Sequence, residues 1–197
     1  MDTVIYIHGK GGSAEESGHY IPLFPDCDVT GLDYKAQTPW AAKEELAALY
    51  DSAVRGGSVT VIANSIGAYF AMHALSDKCI ERAFFISPVV DMEKLITDMM
   101  LWAGVSEKEL CEKGEIISPS GDILSWEYLT YVRSHPIHWE IPTHILYGEK
   151  DALTSLDTIN SFADKAGASV TIMPGGEHWF HTDEQMEFLD SWIKSRT

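Results

Sequence analysis

Short apolar runs recur along the chain and alternate with segments of helical periodicity. The clearest runs are rich in β-branched and aromatic residues: TVIYI (3–7), VTVIA (59–63), RAFFIS (82–87), THILY (143–147) and SVTIM (169–173), with CDVTGLDY (27–34) as a weaker sixth. Nearly continuous apolarity is typical of strands covered on both faces. Since parallel strands need crossover helices, the alternation predicts a three-layer α/β/α sandwich with a mostly parallel, doubly wound sheet of about six strands.

Capping signals mark the start of several helices between these runs. A threonine–proline pair at 38–39 offers an N-cap residue and then a proline at the first helical position. Segments 154–157 and 182–185 resemble capping boxes. The last helix has one apolar face, made of Met186, Leu189, Trp192 and Ile193. These signals predict helices that pack on the sheet.

The segment from Asp91 to Trp139 breaks the alternation because it has no strong buried-strand pattern. Apolar residues at helical spacing predict a first helix that ends near Gly104: Met92, Leu95, Ile96, Met99, Met100 and Ala103. A second capped helix is expected from residue 106, IISPSGDIL resembles a turn, and SWEYLTYVRSHP predicts a third helix stopped near Pro136. We interpret residues 91–139 as a helical cap inserted into a single domain, 1–197. The alternative is extra packing with no part in binding.

Composition and charge narrow the class of partner. Hydrophobic residues make up 45% of the chain and charged residues 22%, with a net charge of -16. That balance is typical of a soluble globular protein. The negative field repels nucleic-acid phosphates and anionic membrane surfaces, and no apolar run reaches the roughly 18 residues that span a bilayer. We therefore expect a small-molecule substrate, with no nucleic-acid or membrane partner.

The cysteines indicate a reducing compartment. Cys27, Cys79 and Cys111 are widely spaced, and no pair has the spacing of a metal site or a redox motif. The N-terminus lacks the basic and then apolar build of a signal peptide, so a cytoplasmic location is expected.

The sequence gives no indication of a metal or a cofactor. No cluster of histidine, cysteine and carboxylate residues argues for a metal, and HGKGG lacks the ending of a phosphate loop. We therefore expect no cofactor.

Polar residues with catalytic potential follow several of the predicted strands. HGKGGS (8–13) follows the first, Ser65 the second, Asp151 the strand at 143–147, and His178 the last. In open parallel sheets, ligands bind at the carboxyl ends of the strands. The pattern therefore places a serine, an aspartate and a histidine, in this order, at the edge of the sheet where a site is expected.

Here the sequence resembles the α/β-hydrolase superfamily, in particular a small serine esterase with a cap insertion, whose triad follows this chain order. The resemblance rests on IYIHGKGG, VIANSIGAYFA, ILYGEKDALT and MPGGEHWF, and it covers essentially the whole chain. Two features depart from the family pattern. Ala63 replaces the first glycine of Gly-x-Ser-x-Gly, and the chain begins at what is usually the third strand, which implies a minimal core. We expect the turn to accommodate the Ala63 methyl without displacing Ser65.

The resemblance assigns a role to each residue of the motif. Ser65 is the nucleophile, His178 the general base that later protonates the leaving group, and Asp151 the acid that orients the imidazole. The backbone N–H groups of Lys10 and Ile66 are the implied oxyanion-hole donors. The expected reaction is ester hydrolysis through an acyl-enzyme on Ser65.

Competing assignments exist for each member of this triad. Ser65 is also a favourable helix N-cap residue. Asp91 follows the FFIS strand, where some family members carry their acid, but it is also well placed to cap the next helix, and Asp33 and Asp157 are weaker candidates. His181 falls at the start of the final helix, and His8 is expected to be structural.

The substrate and the reaction class stay more open. Met99, Trp102, Trp126 and Trp139 in the inserted segment are candidates to line an apolar pocket, or they serve only to pack the segment. Between residues 91 and 139 there are nine Asp or Glu against four Lys or Arg, which favours a neutral ester over a polyanionic thioester. A peptidase or lyase with the same triad, and a non-catalytic binding protein, are the alternatives.

Overall fold

The computed structural model describes every residue of the chain, Met1–Thr197. The strands are β1 (Asp2–Ile7), β2 (Cys27–Gly31), β3 (Val59–Asn64), β4 (Arg82–Ile86), β5 (Glu115–Ile117), β6 (Ile123–Ser125), β7 (Thr143–Gly148) and β8 (Ser169–Met173). The helices are α1 (Pro39–Ala53), α2 (Ile66–Leu75), α3 (Met92–Ala103), α4 (Glu107–Lys113), α5 (Trp126–Ser134), α6 (Leu156–Ala166) and α7 (Asp183–Lys194), and a 3-10 segment covers Ala14–Leu23.

The chain forms two compact units. The larger comprises Met1–Val90 and His138–Thr197, and the smaller is the inserted segment Asp91–Ile137. The insertion predicted from the sequence covers residues 91–139, whereas His138 and Trp139 belong to the larger unit. The role of the inserted unit as a cap stays a prediction.

A six-stranded sheet forms the centre of the larger unit, in the order β2-β1-β3-β4-β7-β8. All neighbouring strands are parallel, with Ile7 paired to Ala63 and Asn64 paired to Ile86 at their carboxyl ends. The sequence prediction of a doubly wound parallel sheet is confirmed, including the weak second strand. Because β1, β3 and β4 lie in the middle of the sheet, the residues after β3 are flanked on both sides by strand ends.

One face of this sheet packs against the 3-10 segment and α7. The cluster contains alternate strand residues together with aromatic and aliphatic side chains from those two helical segments: Val4, Tyr6, Tyr20, Leu23, Phe24, Ile62, Phe84, Ile86, Leu146, Met173, Phe180, Leu189, Trp192 and Ile193. The strand residues between them, such as Val61 and Phe85, are fully buried and point to the other face. Burial of both faces explains the continuous apolar runs.

Most predicted helix starts are confirmed, and one is shifted. Helix α1 begins with Pro39 after Thr38, and α7 begins after the capping box of Thr182 and Gln185. The N-cap of α6 is Ser155 rather than Thr154, since the Ser155 hydroxyl accepts the N–H of Thr158 at 3.3 Å. Thr154 is buried instead, and its carbonyl accepts the Tyr147 hydroxyl at 2.9 Å.

The inserted unit contains the three predicted helices and a hairpin that the sequence did not predict. Strands β5 and β6 pair antiparallel, with Ile117 opposite Ile123. These strands are only three residues long, and both isoleucines are exposed, so the buried-strand pattern was missing. Within the unit, Arg133 of α5 donates to Glu93 of α3 and to Glu107 of α4, each at 2.7 Å. This ion-pair network ties the three helices together.

All three cysteines are free, Cys27 half-buried and Cys79 and Cys111 exposed. Among the helices, none combines the length and the apolar character needed to cross a bilayer.

Candidate active site

Three side chains predicted from the sequence meet at the carboxyl edge of the large sheet. Ser65 follows β3, Asp151 follows β7 and His178 follows β8. The Ser65 hydroxyl lies 2.9 Å from Nε2 of His178, and Nδ1 of His178 lies 2.7 Å from Oδ2 of Asp151. A carboxylate only accepts hydrogen bonds, so Nδ1 carries the proton, and Nε2 is left to accept the hydroxyl of Ser65. This is the arrangement required to remove a proton from a serine nucleophile.

Ser65 occupies a strained turn between β3 and α2. Its backbone has φ 51° and ψ -122°, which a residue with a β-carbon rarely adopts. The Ser65 N–H donates to the Ile86 carbonyl, and the Ser65 carbonyl accepts the Val89 N–H, both at 3.0 Å. The serine side chain does not cap the helix. The turn is therefore held by the neighbouring strand, and it points the hydroxyl at His178 rather than at the start of α2.

Ala63 fits this turn without disturbing it. The residue is fully buried within β3 and pairs with Ile7 on one side and Phe85 on the other. Its methyl group is therefore part of the sheet packing, and the Ser65 hydroxyl still reaches His178.

Known structures share this architecture. No protein-family model and no curated protein matches the chain. Among solved structures, Est1E from Butyrivibrio proteoclasticus superposes with a TM-score of 0.77 at 17% identity, covering 99% of this chain and 86% of its own. Alpha/beta hydrolase domain-containing protein 10 from mouse gives 0.79 at 17% identity, with 98% and 88% covered. A thioesterase domain from the curacin biosynthetic pathway gives 0.59 at 15% identity, with 98% and 90% covered.

The chain has the α/β-hydrolase fold. The turn at Ser65 requires a glycine two residues after the serine. A β-carbon at Gly67 would lie 2.4 Å from the His8 carbonyl oxygen and 2.7 Å from that of Ile7. Helix α2 therefore approaches the end of β1 more closely than any side chain permits.

We expect Gly67→Ala to lower the free energy of unfolding by about 3 kcal/mol, because the methyl collides with backbone that cannot rotate away. Chemical denaturation followed by far-UV circular dichroism measures this loss. Gly18→Ala is the matched control, since a β-carbon there meets nothing within 4 Å. Equal stability of the two variants would contradict the close approach.

Asp151 is the aspartate that contacts His178. Its side chain is completely buried. While Oδ2 faces His178, Oδ1 accepts the N–H groups of Leu153 at 2.8 Å and Thr154 at 3.2 Å. These two backbone donors fix the carboxylate rotamer and satisfy the oxygen that the imidazole does not use.

Two of the three competing aspartates have other partners. Asp91 caps α3 by accepting the N–H of Lys94 at 2.9 Å, and Asp33 pairs with Lys35 at 2.5 Å on the surface. Asp157 lies exposed in the first turn of α6. Among the competing histidines, His181 stacks on Trp179 at a ring distance of 4.3 Å, and His8 stacks on Tyr34 at the same distance.

The loops that carry Asp151 and His178 are joined by hydrogen bonds. The Lys150 N–H donates to the Gly176 carbonyl at 2.8 Å, and the Gly175 N–H donates to Oε2 of Glu149 at 2.7 Å. Glu149 therefore links the loop that carries His178 to the loop that carries Asp151. Hydrophobic periodicity in the sequence could not predict this contact, because both partners lie in loops.

We expect Glu149→Ala to lower kcat/KM about fivefold, since one hydrogen bond of about 1 kcal/mol to the histidine loop is lost. Steady-state ester hydrolysis measures the effect. Glu149→Gln keeps an acceptor oxygen and should retain most of the activity. Glu184→Ala, which removes an exposed carboxylate on α7, should match the wild type. If Glu149→Ala and Glu184→Ala behave alike, the contact does not hold the histidine loop.

The two predicted oxyanion donors belong to segments next to Ser65, one close in space and one adjacent along the chain. Lys10 lies in the turn Gly9–Gly12, closed by the Gly12 N–H donating to the Gly9 carbonyl at 3.1 Å. Gly11 has φ 78°, which favours glycine at this position of the turn. A β-carbon at Gly9 would lie 3.2 Å from Cβ of Ser65, so the turn begins against the serine. Ile66 opens α2, where backbone N–H groups lack intrahelical partners.

The predicted pocket residues lie in different places. Met99 and Trp102 belong to α3 of the inserted unit, with Trp102 61% exposed, and Trp126 is the first residue of α5. Trp139 is buried in the larger unit, where its indole N–H donates to Thr143 at 2.7 Å and its ring lies 5.5 Å from Phe85. These contacts favour a packing role for Trp139. A pocket role for the other three stays a prediction.

Two features near the serine were missed by sequence reasoning. Ser87, at the end of β4, also has a positive φ of 44°, and its buried hydroxyl has no hydrogen-bond partner. In the sequence, only the Ser-Pro pair at the end of the strand marked this position as unusual. The second feature is a polar network around Tyr6, whose hydroxyl lies within the otherwise apolar cluster.

Proposed function

We propose that the protein is a serine hydrolase that cleaves a small neutral or apolar carboxylic ester. The observation that carries the proposal is the hydrogen-bonded series from Ser65 to His178 to Asp151, with distances of 2.9 and 2.7 Å. All three side chains come from the larger unit and lie at the sheet edge where this fold binds ligands.

The proposed reaction proceeds in two steps. Ser65 Oγ attacks the ester carbonyl carbon while its proton passes to Nε2 of His178. The C–O bond to the alcohol breaks, the alcohol leaves with that proton, and an acyl-enzyme remains on Ser65. Water then attacks the acyl-enzyme, with His178 again taking the proton, and the acid is released. Asp151 keeps the imidazole in the correct tautomer and stabilises its protonated form in both steps.

Stabilisation of the tetrahedral oxyanion is assigned to the N–H groups of Lys10 and Ile66. Their turns flank Ser65, one beginning against its Cβ and the other directly following it along the chain. Fixed backbone donors are effective because they need no reorganisation as charge develops on the carbonyl oxygen. Loss of one donor costs about 2.7–4 kcal/mol in other enzymes of this type.

The preference for a neutral ester rests on charge and on the structural neighbours. The chain carries a net charge of -16, and its inserted segment is acidic, so polyanionic substrates and nucleic acids are repelled. One of the structural neighbours is a thioesterase domain, which supports hydrolysis of an ester-type bond. The three free thiols support a location in a reducing compartment such as the cytoplasm.

The test combines a covalent probe with a substrate panel. A fluorophosphonate should add one adduct per chain, located by peptide mass spectrometry on Ser65. p-Nitrophenyl esters of two to eight carbons should be hydrolysed faster than an acyl-coenzyme A thioester or a p-nitroanilide. Absence of both labelling and ester hydrolysis would overturn the proposal. Labelling with turnover of the anilide alone would indicate a peptidase.

A further inference from the structure

A buried polar network connects the residue before the nucleophile to the turn that carries Lys10. Tyr6 in β1 is 1% exposed, and its hydroxyl donates to Oε2 of Glu16 in the 3-10 segment. The side-chain amide of Asn64 donates to the oxygen of the same tyrosine at 2.9 Å. Three side chains from three separate elements are therefore linked through one phenolic oxygen.

The orientation of the network follows from proton counting. The Tyr6 hydroxyl has a single proton, and the Glu16 carboxylate can only accept it. The tyrosine oxygen must therefore accept from Asn64, so the amide nitrogen faces Tyr6. This leaves Oδ1 of Asn64 buried without a partner.

Each end of the network touches a part of the proposed catalytic machinery. Asn64 immediately precedes Ser65 and pairs with Ile86, the residue whose carbonyl binds the Ser65 N–H. Glu16 lies against the turn Gly9–Gly12, since a β-carbon at Gly12 would sit 2.8 and 3.0 Å from its two carboxylate oxygens. Oε1 of Glu16 also accepts the Ser13 N–H, at the end of that loop, at 3.3 Å.

We infer that Tyr6 and Glu16 are positioning residues that hold the Lys10 turn at a fixed distance from Ser65 and so set the geometry of the oxyanion hole. The inference rests on the proposed function. Neither side chain needs to touch the substrate. The effect is transmitted through Gly12 on one side and Asn64 on the other, and a small shift of a donor is costly because oxyanion stabilisation depends steeply on geometry.

The protonation state of the network supports this role. Burial, followed by the neighbouring Tyr20 and Glu16, raises the pKa of Tyr6 well above its ordinary value. The phenol therefore keeps its proton throughout the pH range of an esterase assay and donates to Glu16 at every pH tested. Because the Tyr6 hydroxyl does not titrate in this range, loss of its hydrogen bond should lower activity without changing the shape of the pH profile.

The test is the removal of the single oxygen in Tyr6→Phe. We expect kcat to fall about tenfold with KM unchanged, because a displaced oxyanion donor weakens the transition state and not the bound ester. The inhibition constant of a trifluoromethyl ketone, whose adduct with Ser65 carries an oxyanion, should rise by the same factor. Glu16→Ala should have a similar effect, Glu16→Gln should restore most of the activity, and the double variant Tyr6→Phe/Glu16→Ala should be no worse than either single variant.

Tyr50→Phe is the matched control, because Tyr50 is also buried and its hydroxyl donates to the Cys79 carbonyl at 2.9 Å, at the opposite end of α2. It should lose comparable stability in a thermal melt and keep the wild-type kcat. Wild-type kcat and inhibitor affinity in Tyr6→Phe would overturn the inference while leaving the hydrolase proposal intact. A wild-type protein without labelling or ester turnover would overturn the hydrolase proposal itself.

Discussion

Ser65→Ala should abolish ester hydrolysis, with kcat falling about 10⁶-fold, the loss found when the nucleophile of a serine hydrolase is removed. The variant keeps the β-carbon at φ 51° and the backbone bonds to Ile86 and Val89, so the turn should persist. The variant loses the hydroxyl oxygen that lies 2.9 Å from Nε2 of His178. Initial rates on a p-nitrophenyl ester and intact-mass detection of the fluorophosphonate adduct measure the two consequences.

Ser87→Ala provides the matched control for this experiment. Ser87 is also a serine with positive φ at the end of a central strand, but its hydroxyl is buried and has no partner. The alanine variant should label and turn over like the wild type. Residual turnover above about 1% in a homogeneous Ser65→Ala preparation, or an adduct that persists in it, would show that another residue is the nucleophile.

The strands of the large sheet could be predicted because burial on both faces leaves a direct mark on the sequence. TVIYI and VTVIA have almost no polar position, and β1 and β3 lie in the middle of the sheet. The hairpin of β5 and β6 left no such mark, since its strands are short and Ile117 and Ile123 face solvent. A strand could therefore be predicted where both of its faces are buried, whereas single apolar residues in an exposed strand were not sufficient.

The three side chains of the proposed triad could be predicted because each lies just after the end of a strand. Once β3, β7 and β8 were located, the positions of Ser65, Asp151 and His178 at one edge followed from the parallel topology. The contacts that position them are different in kind. One is the hydrogen bond from Gly175 to Glu149, and another is the network around Tyr6. Both join residues that are far apart in the sequence, and hydrophobic periodicity does not predict such contacts.

Asp151→Asn should reduce kcat about 10⁴-fold while the protein stays folded. The reason lies in the two backbone donors at Oδ1, which come from Leu153 and Thr154. They keep an acceptor oxygen at that position, so the amide nitrogen of the asparagine must take the place of Oδ2 and face His178. That nitrogen donates to Nδ1, which forces the proton onto Nε2, and the imidazole can no longer accept the Ser65 proton.

Asp91→Asn distinguishes this role from that of the competing acid. Asp91 caps α3 by accepting the Lys94 N–H, and asparagine caps helices about equally well, so both stability and kcat should stay at the wild-type level. Ester kinetics and a thermal melt on the two variants settle the assignment. If Asp91→Asn lost turnover while Asp151→Asn kept it, the acid would be Asp91, and the buried contact of 2.7 Å between Asp151 and His178 would have only a structural role.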